Sequence, residues 1–144
     1  MIEWNGERIK KLMRDKIDNR LEILGVDTVS QATLLAPYKS GRLKGSLTYA
    51  TKNQSAKANS PAKSNDAVEQ PQTVGVVRIG TNVVYAAMQE FGGVIRPVHK
   101  KALKFKVDGH WVTTQRVTLR GWHYLTQSIQ MAKDKVKSLF SFNL

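Results

Sequence analysis

The sequence predicts an α+β domain: an antiparallel sheet of about four strands with a long N-terminal helix, a short inserted helix and a C-terminal helix. Three observations lead there. Apolar residues recur at three- and four-residue steps near both ends of the chain, the period of a helix packed on one side. Between those ends they alternate or gather in β-branched runs, the pattern of strands. Two alternating runs, Leu103–Val107 and His110–Thr114, are separated by Asp108-Gly109 alone, the strongest short hairpin signal. At 144 residues the chain is expected as one domain, 1–144.

The first element is a helix whose stripe runs Ile9, Leu12, Met13, Ile17, Leu21, Leu24, Thr28, Ala32, Leu35. Lys10, Arg14, Asp15, Asp18, Arg20 and Glu22 are expected on its solvent side. Asn5 suits the N-cap, and Pro37 ends the helix by restricting Ala36. Gly25 predicts a kink or break near residues 25–27. Beyond Pro37, the stretch from Leu43 to Ala50 reads as a strand, with Leu43 and Leu47 dropping into the core. From Lys52 to Thr73 no Leu, Ile, Met or aromatic residue occurs, so this stretch is expected as a long flexible loop that orders on a partner. Val74 to Thr81 is strand again. Tyr85 to Phe91 forms the short helix, stopped by Gly92-Gly93, with Tyr85 and Phe91 anchoring it under the sheet. In the hairpin the register pairs Phe105 with Val112 and Val107 with His110. Trp122, Leu125, Ile129, Ala132, Val136 and Leu139 mark the last helix.

Composition excludes several kinds of chemistry. With no cysteine, disulfide frameworks, thiol catalysis and zinc–thiolate sites are ruled out. No apolar run is long enough for a membrane span, and the N-terminus lacks the layout of a secretory signal, so a soluble protein without membrane contact is expected. Beyond residue 37 only five carboxylates occur, Asp66, Glu69, Glu90, Asp108 and Asp134, and no two are spaced for acid–base or two-metal work. Glu90, beside an aromatic, is expected half-buried, bonded to a backbone amide or paired with Arg42 or Arg78. His99, His110 and His123 have no metal-ligand spacing. Around Gly41–Ser46 the lysine of a phosphate loop is missing before Ser46, and a Ser–Lys nucleophile pair has no support. Neither catalytic residue, cofactor nor metal is expected.

Charge is the outlying property, +12 from 23 Lys+Arg and 11 Asp+Glu. Residues 1–36 are neutral, 37–73 carry +4 and 74–144 carry +8. Such a surface suits anionic partners. The eight arginines are scattered singly, which favours assembly against an acidic neighbour over sequence-specific DNA reading.

Two segments resemble a known family. Ala36-Pro37-Tyr38-Lys39-Ser40-Gly41-Arg42-Leu43-Lys44-Gly45-Ser46-Leu47 is similar to the A-P-x-x-[ST]-G-x-L-x-x-S-[IL] stretch of tail-component proteins of tailed bacteriophages. Tyr85-Ala86-Ala87-Met88-Gln89-Glu90-Phe91-Gly92 resembles that family's Y-A-x-x-x-E-F-G segment, and Lys101–Phe105 its K-x-L-x-F. The resemblance spans about residues 9–139. Departures are Lys39 where the family has an acidic or small residue, the long 52–73 stretch, and no proline near Gly121. The resemblance implies a structural virion protein of the neck. It would join or complete the tail as a homo-oligomeric, hexameric ring against neck and tail-tube or terminator proteins, with viral DNA passing through the lumen. The motif residues Pro37, Gly41, Leu43, Ser46, Leu47, Tyr85, Ala86, Glu90, Phe91 and Gly92 then build the fold, while Lys52, Lys57, Lys63, Lys104, Lys106 and Trp111 are the candidate interface. The alternative is a basic single-stranded nucleic-acid-binding protein, since Trp111 among Lys104 and Lys106 offers a stacking ring between cations.

Overall fold

Thirty residues without a proline, α1 (Gly6–Leu35), form a helix about 45 Å long. The computed structural model describes residues 5–54 and 68–141. Asn5 stands at the N-cap position, but its side chain caps nothing. At the other end Ala36 is extended, as a residue before proline must be, and its N–H still bonds the Ala32 carbonyl at 2.8 Å. Only the second half of the expected stripe is buried, at Leu21, Leu24, Thr28 and Ala32. Ile9, Leu12 and Met13 are exposed, because the helix packed against α1 is much shorter.

Gly25 does not break the helix. It is buried, and a Cβ built there would lie 2.7 and 2.9 Å from ring carbons of Tyr49. The glycine is therefore a seat for an aromatic ring rather than a hinge. The Tyr49 hydroxyl donates to Glu22 Oε1 at 3.3 Å, and burial first, then the Glu22 charge, raises its pKa. Asp18, expected in solvent, is buried on this same side, where Thr51 Oγ1 donates to its Oδ2 at 3.4 Å.

Leu43 does not begin a strand. Gly41, in the left-handed region at φ 77°, starts a single helical turn, α2 (Arg42–Ser46), closed by the Gly45 N–H on the Gly41 carbonyl. The i, i+4 spacing of Leu43 and Leu47 satisfies one turn of helix as well as a strand, and the turn buries both. β1 (Thr48–Ala50) pairs antiparallel with β2 (Arg78–Gly80), three residues of the longer strand expected from Val74. The expected loop reduces to residues 52–54 and 68–73 among those described; Lys57 and Lys63 lie outside them.

α3 (Ala86–Phe91) ends where expected, on Gly92 at φ 74°, whose N–H bonds the Met88 carbonyl. The chain then enters β3 (Gly92–Ile95) directly, which pairs with β6 (Val117–Arg120). β4 (Leu103–Val107) and β5 (His110–Thr114) form the hairpin in the predicted register, Phe105 opposite Val112 and Val107 opposite His110. The α+β class holds, but the strands form three antiparallel pairs instead of one sheet.

α4 (Tyr124–Phe140) runs back along α1, tied by Lys135 Nζ to Asp27 Oδ2 at 2.7 Å. Its buried residues are Tyr124, Ser128 and Ala132, so the packed face is rotated from the expected stripe and leaves Trp122, Ile129 and Val136 exposed. Small residues let the helices approach closely. The core consists of Ala32, Ala36, Leu43, Leu47, Val83, Ala86 and Tyr124, with Val29, Leu35 and Leu125 packed around it.

Gly25→Ala tests the ring seat. Alanine gains about 1 kcal/mol of helix propensity but overpacks Tyr49, typically a cost of 1–3 kcal/mol. We expect a net loss in thermal or urea unfolding. In a Tyr49→Ala background the same change is expected to stabilise, because the ring is gone.

Candidate functional site

The two motif segments meet in the fold. Pro37 and Gly41 of the first and Tyr85 and Gln89 of the second line one groove of about 460 Å³, with Tyr38 and Leu43. Ser46 links to the strand side through Thr81, hydroxyl to hydroxyl at 2.7 Å. Tyr85 and Phe91 do not anchor α3 under a sheet: Phe91 is 71% exposed and Tyr85 lies at the groove wall. Ala86 and Tyr124 take that place, with the Tyr124 hydroxyl donating to the Ala86 carbonyl at 3.4 Å. Burial first, then the Glu90 and Tyr85 charges, pushes the Tyr124 pKa up to about 12, so it stays a neutral donor.

Glu90 is the polar centre of this junction. It is 2% exposed and pairs with neither Arg42 nor Arg78, the latter lying 3.6 Å from Glu69 instead. Its Oε2 accepts from the Leu125 N–H at 2.8 Å, while Oε1 accepts from the Thr126 N–H at 2.9 Å and the Thr126 hydroxyl at 2.6 Å. Both amides belong to the first turn of α4, where they have no partner within the helix. A carboxylate there also meets the positive end of the helix dipole. Burial pushes the Glu90 pKa up, but the Thr126 hydroxyl and the two amides together outweigh it, and the net shift is downward. Glu90 thus stays charged at neutral pH and caps a helix.

The backbones around it are interlocked. Trp122 N–H bonds the Gln89 carbonyl at 2.8 Å and His123 N–H the Glu90 carbonyl at 3.0 Å. A Cβ on Gly92 would lie 2.5 Å from the Leu119 carbonyl oxygen, and one on Gly121 would lie 2.6 Å from that of Glu90. Glycine is required at both crossings. Gly121 and Thr126 were not singled out in the sequence, since nothing local marks a capping partner 36 residues away.

The second feature is the β4–β5 ribbon. Period-two alternation puts Lys104, Lys106, Trp111 and Thr113 on one face. Both lysine Nζ atoms lie 5.1 Å from the Trp111 ring centroid. The expected interface residues on this ribbon are therefore adjacent, whereas Lys52 lies elsewhere, its carbonyl accepting from the Gln70 side chain. At the ribbon's root, Arg96, Lys101 and Arg116 line a second concavity with Pro97, Thr114 and Gln115. Among the described residues no three His, Asp or Glu side chains gather as a metal site, and no helix is long and apolar enough to cross a membrane.

Removing the Glu90 carboxylate isolates its contribution. We expect Glu90→Ala to cost about 3 kcal/mol, and Glu90→Gln about 2, because an amide nitrogen then faces the Leu125 N–H. The folded pKa lies below the ordinary 4.5, so this stability is complete above that value and disappears as pH falls through the folded pKa. The melting-temperature gap between wild type and Glu90→Gln is therefore expected to shrink as the pH falls below 4.5 and through the folded pKa. Comparison with protein-family models, with curated proteins and with solved structures finds no match to this chain.

Proposed function

We propose that the chain is a structural subunit of the neck of a tailed bacteriophage, joining or completing the tail as a ring-forming module. The reading rests on the two motif segments and on how the fold uses them. Leu43, Leu47 and Ala86 are core, Gly41 and Gly92 are turns with positive φ, and Glu90 is a helix cap. Each has a structural task. A module of this kind acts through its surface.

The single observation that carries the proposal is the presence of uncovered apolar side chains on different faces. Ile23 and Val26 adjoin on the outer side of α1, with Leu12 and Leu34 farther along the same side beyond Lys16, Asn19 and Ser30, all four about half exposed or more. A separate pair, Val107 and Val112, shares one face of the β4–β5 ribbon and is exposed. Contiguous exposed apolar surface marks interaction sites on soluble proteins. Closed rings need heterologous contacts, in which one patch of each subunit meets a different patch of its neighbour. Two unlike patches on one subunit fit that requirement, whereas a two-fold dimer needs one. The ring neighbours in the particle would be neck and tail-tube or terminator proteins.

Light scattering on the purified chain is expected to give a closed oligomer, and negative-stain images rings. Ile23→Asp with Val26→Asp lies on the exposed side of α1, where substitutions change stability by about 0.5 kcal/mol or less each. The double variant is therefore expected to keep its melting temperature and to run as a monomer. A wild-type monomer at high concentration, or rings unchanged by the double variant, would overturn the proposal.

A further inference from the structure

The positive charge that looks scattered in the sequence is concentrated in space. Between residues 92 and 123 there are seven Lys+Arg and one carboxylate, Asp108, at the hairpin tip. Arg96 and Lys101, from the β3–β4 connection, and Arg116, from the β5–β6 connection, line a single concavity of about 790 Å³ at the root of the β4–β5 ribbon, and no acidic residue lines it. All three are exposed, and no carboxylate among the described residues pairs with any of them. Three gathered cations repel one another unless an anion joins them. Two arginines in the set provide planar forks that match phosphate oxygens.

The neighbouring feature points to the kind of anion. Trp111 is 63% exposed, and the ammonium groups of Lys104 and Lys106 are held over its ring. Lys106 and Trp111 face each other three positions along the ribbon from its root at Leu103 and Thr114. At about 3.3 Å per residue this is about 10 Å along the ribbon axis. A cationic notch at the root and a largely exposed indole farther along the ribbon suit a chain that carries phosphates and aromatic bases alternately.

We propose that this ribbon binds single-stranded nucleic acid, with backbone phosphates in the Arg96, Lys101 and Arg116 notch and a base stacked on Trp111. The site reads no sequence, since its ligands are phosphate charge and a π-face that every base has. An acidic protein surface would use the cations but leave the exposed part of the indole uncovered. Duplex DNA keeps its bases stacked and offers Trp111 none. The inference stands apart from ring formation, because the ribbon and its flanking connections place the whole site within one subunit.

The test is anisotropy of a labelled 20-mer of deoxythymidine against the full chain at two salt concentrations. A 20-base-pair duplex and a poly-glutamate of equal length serve as competitors, and light scattering is run on the same samples. We expect Trp111→Ala to weaken binding by about 5- to 150-fold, the range for losing one stacked base, and Trp111→Phe to retain most of it. Arg96→Gln with Arg116→Gln is expected to weaken binding at least tenfold and to lower the salt slope by about 1.4, two single-strand phosphates. Lys133→Gln with Lys137→Gln, on the exposed side of α4, is expected to leave binding unchanged. Equal affinity for poly-glutamate would assign the face to an acidic protein, and tighter binding to the duplex would assign it to double-stranded DNA; either overturns the proposal. So does normal binding by Trp111→Ala or the double arginine variant. Loss of binding with rings intact would leave the assembly reading standing, and loss of rings with binding intact would leave this one.

Discussion

One buried carboxylate holds the C-terminal half of the molecule in place. Glu90 sits at the end of α3 and spends both oxygens on the opening turn of α4, two amides and one hydroxyl. Hydrogen bonds to a charged group are worth about 1.5–3 kcal/mol each, and a buried charge without partners is far more costly than the pair is favourable. The arrangement is therefore close to all-or-none. If α4 shifts by one residue, the amides leave the carboxylate, and the charge is buried alone. That condition fixes where α4 starts, and His123, at φ 51° just before it, is held in a conformation that most side chains avoid.

The rest of the β architecture depends on this lock. β3 leaves α3 at Gly92, and β6 returns to α4 through Gly121, so the β3–β6 ladder begins within a few ångströms of Glu90. The glycines are needed because two backbones cross there with no room for a Cβ. The β4–β5 hairpin is carried between those two strands and touches little of the core, which explains why its large side chains stay exposed. On the opposite side, α1 is held by different means, an aromatic ring on Gly25 and a buried Asp18 against Thr51.

What was legible in the sequence were patterns that a few neighbouring residues decide. Asp108-Gly109 set the hairpin register, Pro37 set the end of α1, and Gly92 set the end of α3. What was not legible depended on partners far along the chain. Ile9, Leu12 and Met13 have the period of a buried stripe, yet no described element reaches them. Phe91 has the chemistry of an anchor but points outward, because Tyr124, 33 positions later, takes the core place beside Ala86. Asp18 reads as solvent-facing until β1 folds over it. β3 and β6 are only four residues long and singly paired, and β3 opens on two glycines, so neither carries an alternation long enough to see.

The candidate surfaces follow from the same geometry. A strand alternates its side chains between two faces, so the ribbon that presents Lys104, Lys106 and Trp111 on one side presents Phe105, Val107 and Val112 on the other. In a monomer that apolar side would be a liability; against a neighbouring subunit it becomes contact area. The charged side is then turned away from that contact. Cations are poor residues for an interface core, where desolvating them without partners is costly, so their segregation onto the opposite face is what the two proposals together require of this ribbon. Because alternation links the two faces residue by residue, a one-residue slip in the hairpin would exchange them and place lysines in the contact. The Asp108-Gly109 turn, with both residues at positive φ, prevents that slip.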